Sequence, residues 1–109
     1  SQGLRSWFWQ RLTSVYIALF LIITLIWYLG SGTLGFAEWR GVMANPVVNI
    51  ASALFILAVL YHASVGVRDI LVDYVHPLWL RSSLLIIVYV ILLSLAIWSM
   101  MILNSVVML

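Results

Sequence analysis

Residues 41–67 read GVMANPVVNIASALFILAVLYHASVGV, 27 consecutive positions without Asp, Glu, Lys or Arg, bounded by Arg40 and Arg68. A helix needs about 20 apolar residues to cross the hydrocarbon of a bilayer. This run is long enough to cross once. On either side the pattern repeats: 26 uncharged residues separate Arg11 from Glu38, and the 28 after Arg81 carry no charge at all. The chain is therefore expected to be an all-α membrane protein with three transmembrane helices, near 11–30, 46–68 and 82–105, forming a single anchor domain over 1–109.

Local signals mark the ends of these spans. Gly30-Ser31-Gly32 closes the first, because glycine accepts the left-handed backbone that ends a helix. Asn45-Pro46 opens the second in the order of cap, then proline. Pro77 interrupts the path into the third. Ser14 and Ala18 on the first span, and several small residues on the second, offer seams for close helix packing. Trp7, Trp9, Trp27, Trp39 and Trp79 fall near expected ends, as interfacial aromatics do.

Composition excludes several classes. Of the 109 residues, 66% are hydrophobic and 7% charged, with a mean hydropathy of +1.22, whereas soluble domains average about 25% charged. Five arginines against three acids give a net charge of +2. They are too dispersed for a nucleic-acid surface, which needs clustered cations. With no cysteine, the chain has no disulfide and no thiolate-held cluster or zinc. It starts at Ser1 without an initiator methionine, so leading residues are expected to be missing. The first apolar run is long enough to span, which argues against a cleaved signal peptide.

Arginine placement sets the orientation. With the amino terminus inside, Arg5, Arg11, Arg68 and Arg81 lie on the cytoplasmic side and only Arg40 lies opposite. The positive-inside rule favours that arrangement, with the carboxyl terminus outside.

Within the second span, Ala51, Phe55, Ala58, His62, Gly66, Asp69 and Asp73 recur at steps of three and four and share one helix face. A histidine at membrane depth is costly unless something binds it, and haem iron is one natural partner. Ala58 and Gly66 flank it one turn away on each side, leaving clearance for a flat macrocycle. If the helix continues, Asp73 lies about 16 Å along the axis from His62. The same stripe equally fits a small-residue seam in which His62 hydrogen-bonds a neighbouring carbonyl. The other histidine, His76, comes fourteen residues later beside Pro77, at a different depth. Two imidazoles on one iron would therefore require a second chain, and three apolar helices leave lateral surface for one to complete the bundle.

Asp73 and Tyr74 stand where the second span leaves the membrane. They fit either an ordinary interfacial pair, phenol in the aromatic belt and carboxylate in water, or a proton-handling site. Arg11 is by default a headgroup anchor, and Arg68 and Asp69 are expected to be solvated or mutually paired. A channel or transporter role for His62 is disfavoured, because the spans hold no other buried acid or base to build a polar route.

The series His62-Ala63-Ser64-Val65-Gly66, then six residues, then Asp73-Tyr74-Val75 resembles the motif of the small hydrophobic membrane-anchor subunit of succinate dehydrogenase, respiratory complex II. The motif covers residues 61–77; the three spans, orientation and length agree over the whole chain. The resemblance implies that His62 is an axial ligand of a haem b shared with a histidine of a second anchor subunit. It also implies that Gly66 gives the haem room, that Arg11 lies near the propionates, and that Tyr74, with Asp73 beside it, meets a ubiquinone carbonyl. The implied partners are a flavoprotein with covalent FAD and an iron–sulfur subunit, in a bacterial inner membrane. Such a chain is a subunit of an enzyme and not catalytic alone. The alternatives within the same scaffold are a fumarate reductase anchor and a haem-free structural anchor. Ser64 departs from related bacterial chains, which often carry a bulky aromatic at that position.

Overall fold

The computed structural model describes residues 2–32 and 35–107. Four helices follow one another: α1 (Gln2–Ser31), α2 (Phe36–Met43), α3 (Pro46–Tyr74) and α4 (Leu78–Val106). Three of them, α1, α3 and α4, are long and apolar enough to cross a membrane. At 1.5 Å per residue a 29-residue helix is about 44 Å long, more than the ~30 Å of hydrocarbon. The outer turns of each therefore reach into the headgroup layer. All three extend past the spans read from sequence, which counted only the apolar stretch.

The ends obey local chemistry. Gly32 takes φ +78° immediately after α1, a conformation that costs glycine nothing. Asn45 caps α3, its side-chain oxygen accepting from the amides of Val47 and Val48, with Pro46 in the first turn. The short helix α2 was not anticipated. Its start is fixed by Glu38, whose carboxylate accepts from the Gly35 amide at 2.9 Å and sits at the positive end of the helix.

Helix α3 is the centre of the molecule. It packs on α1 on one side and on α4 on the other, while α1 and α4 approach nowhere within 8 Å Cα to Cα among the described residues. Both pairs are antiparallel. Ser14 meets His62 and Phe20 stacks on Phe55, with centroids 4.3 Å apart; Asn49 reaches Leu103. Helix α2 closes the end where α3 begins and α4 ends.

Little of this is a hydrophobic core. Among the described residues, only Val65, Leu103 and Val106 are buried apolar side chains. Dozens of large apolar residues face outward instead, which in water would be an untenable surface and in lipid is the ordinary condition. Because lipid tails are as apolar as leucine, close packing and hydrogen bonds must join the helices. They do so at few points. Buried Asn49 donates to the carbonyls of Met43 and Leu103, both at 2.9 Å, tying α2, α3 and α4 together. Tyr16 donates to the Ala51 carbonyl at 2.6 Å, tying α1 to α3. The hydroxyls of Thr13, Ser31, Ser83 and Ser94 donate back to a carbonyl four residues earlier, which satisfies them without water.

Candidate functional site

The small-residue stripe on α3 divides at His62. Its first half is a packing seam against α1: Tyr16 bonds the Ala51 carbonyl and the ring of Phe20 covers Phe55. Its second half is open. A Cβ built on Gly66 meets nothing within 4 Å, and Asp69 and Asp73 are exposed. The stripe is a packing seam before His62 and open after it, and His62 itself contacts the Ser14 hydroxyl rather than a neighbouring carbonyl among the described residues. Ala18, offered with Ser14 as a seam residue, is exposed, because α1 turns its Gln10, Ser14 and Ile17 side toward α3 instead.

His62 is half-buried, with Nδ1 3.4 Å from Ser14 Oγ. Its other ring nitrogen, Nε2, has no partner among the described residues. Nor is it sealed in, since Gln10 Oε1 is the one buried, unpartnered side-chain polar atom among them. No cluster of three or more His, Cys, Asp or Glu side chains occurs among the described residues. A metal held here would find fewer than three such ligands among the described residues.

Arg11 lies one turn from Ser14 on α1. Its guanidinium sits over the Trp7 ring, 5.5 Å from the centroid, a cation–π contact at helical spacing. It has no acidic partner among the described residues. The one ion pair among them joins Arg68 to Asp69 at 3.5 Å, between neighbours on the exposed end of α3; such surface pairs contribute little. Asp73 and Tyr74 are the last helical residues of α3, and Tyr74 is 77% exposed, its hydroxyl without a partner among the described residues. His76 is exposed in the connection to α4. Ser64 returns its hydroxyl to the Tyr61 carbonyl at 2.7 Å, so it adds no unpaired polar group beside His62.

Sequence reasoning did not identify Asn49 as a structural anchor or Ser14 as the neighbour of His62. Asn49 had a signal, since an amide in an apolar span demands partners. Ser14 was visible only as a small residue, because the register between α1 and α3 is not written in either helix.

The comparison with known proteins completes this picture. Residues 2–100 match the family described as succinate dehydrogenase/fumarate reductase transmembrane subunit. The chain belongs to that family. It is also similar to the succinate dehydrogenase hydrophobic membrane anchor subunit of Coxiella burnetii, with 24% identity over 98 residues, covering 90% of this chain and 85% of the relative. The chain is thus a multi-pass membrane-anchor subunit of this enzyme family, as its motif and three spans led us to expect.

Proposed function

We propose that this chain anchors a succinate:ubiquinone oxidoreductase in a bacterial inner membrane, with its amino terminus cytoplasmic and its carboxyl terminus periplasmic. As one membrane domain it holds the iron–sulfur and flavoprotein subunits, which carry the clusters and FAD. It shares a haem b with a second anchor subunit and forms part of the quinone-reduction site. The observation that carries this reading is the family match across residues 2–100. The family description covers fumarate reductase too, and the name of the Coxiella relative favours the succinate direction.

The residues fit a haem. His62 keeps Nε2 free and accessible, Gly66 leaves room one turn away, and Arg11 is a cation without an acidic partner among the described residues. When bound, the haem supplies a one-electron carrier whose potential follows its axial ligands and burial. His62 would ligate the iron through Nε2, Gly66 would leave room for the macrocycle, and Arg11 would offset negative charge on the propionates.

Quinone reduction consumes two electrons and two protons. The electrons come from the partner cluster; the protons must pass through groups that touch water. Tyr74 donates its phenolic hydrogen bond to a quinone carbonyl and stabilises the negative charge that builds there. Asp73, beside it and exposed, takes protons from the aqueous side and passes them inward. The isoprenoid tail remains among helices and lipid.

The test is purification of the assembled complex in mild detergent, identification of its chains by mass, and a reduced-minus-oxidised spectrum. A b-type haem spectrum that changes in His62→Ala is expected. A complex holding only flavin and cluster absorbance would refute the haem assignment and leave the structural-anchor alternative.

A further inference from the structure

Thr13, Ser31, Ser83 and Ser94 spend their hydroxyls on their own helix. Ser14 differs: its Oγ lies 2.7 Å from the Gln10 carbonyl and also 3.4 Å from His62 Nδ1 on α3. A serine hydroxyl has one proton, and a carbonyl oxygen can only accept. The short contact to Gln10 therefore takes that proton. What remains on Oγ is lone-pair capacity, so the contact with Nδ1 is a bond only if the imidazole donates.

From this we infer that Ser14 is a positioning residue that fixes the His62 tautomer: Nδ1 carries the hydrogen and donates to Ser14 Oγ, and Nε2 presents its lone pair to iron. The inference rests on the haem-anchor reading above and deepens it. The Gln10 carbonyl orients the serine, the serine orients the ring, and the ring's other nitrogen is the one with no partner among the described residues. A neutral imidazole has one N–H and one lone pair, so fixing the hydrogen at Nδ1 fixes the ligating atom at Nε2. Acceptors on the far nitrogen of metal-bound histidines also raise ligand basicity and restrain ring rotation. The 3.4 Å separation is long for such a bond, which makes Ser14 a mild acceptor whose effect is a tuning of the iron rather than its retention outright.

The assembled complex tests this with three variants: Ser14→Thr keeps the hydroxyl, Ser14→Val has the shape of threonine without it, and Ser14→Ala removes hydroxyl and bulk together. The readouts are the haem midpoint potential and the low-spin ferric EPR signal, which reports the orientation of the axial rings. Losing the acceptor makes His62 a weaker donor and disfavours ferric iron. Ser14→Val and Ser14→Ala should raise the potential, by up to about tenfold in the ferric-to-ferrous ratio (~59 mV for one electron), and shift the EPR signal. Ser14→Thr should stay near the parent. If the parent complex carries haem and all three variants match it, the inference is overturned while the role of His62 stands. If Ser14→Thr moves as far as Ser14→Val, the effect is packing, and the inference is again overturned. If the parent complex carries no haem, the anchor's haem reading fails and takes this inference with it.

Discussion

Between Asn45 and Phe55, α3 is held on every side that faces protein: Asn45 caps it, Asn49 ties it to α2 and α4, Tyr16 bonds its backbone and Phe20 stacks on Phe55. From His62 to Tyr74 the same helix buries Val65, but its polar side chains make one long contact to α1, Gly66 faces empty space, and Asp73 and Tyr74 are exposed. The residue types at the two ends are not very different; what differs is whether polar groups find partners inside the chain. In lipid, where apolar contact alone does not distinguish protein from surroundings, those bonds decide which end is self-sufficient. The closed end holds the helices in register. On the function proposed above, the open end keeps its chemistry for groups the chain does not itself contain.

Tyr74→Phe is the strongest way to break this contrast. Removing a proton donor from a reaction site typically costs about a hundredfold or more, so ubiquinone reduction by the purified complex should fall by roughly that factor. Succinate oxidation by an artificial dye acceptor and the haem spectrum should be retained. Equal quinone turnover in the variant would mean that the open end is merely exposed.

Next comes Gly66→Leu. A Cβ at this position meets nothing within the chain, so helix content by circular dichroism should hold. If a haem occupies the space, overpacking of about 1–3 kcal/mol should lower haem per complex by roughly tenfold. Unchanged haem content would place the cofactor elsewhere.

The closed end should respond in the opposite sense. Asn49→Leu leaves the Met43 and Leu103 carbonyls without their side-chain donor, at a cost of about 1–2 kcal/mol in a membrane setting. The complex should dissociate at a lower temperature, while turnover per intact complex and the haem potential stay as in the parent. Asn45→Ala should be the mildest change, about 1 kcal/mol from a lost cap, seen as a smaller shift in the same melting experiment. A large loss of quinone activity from either would show that the two ends are coupled.

Much of the fold was legible because it is dictated locally. Charge-free runs announce spans, Gly32 permits the backbone that ends α1, and Asn45-Pro46 is a helix start wherever it occurs. The short α2 was overlooked for the same reason in reverse: eight residues carrying two charges resemble a loop unless the reach of Glu38 back to Gly35 is noticed. His62, Gly66, Asp73 and Tyr74 stood out through their spacing on one helix. Which half of that stripe α1 would cover, and which nitrogen of His62 would face Ser14, depend on the register between two helices. No single helix contains that information.

Since α1 and α4 come nowhere within 8 Å Cα to Cα among the described residues, α3 acts as a hub with two separate docking faces. Contributions from well-separated contacts add, so neither flank needs the other in place before it settles. A lesion in one flank is then expected to cost that flank's contacts and leave those of the opposite flank in place.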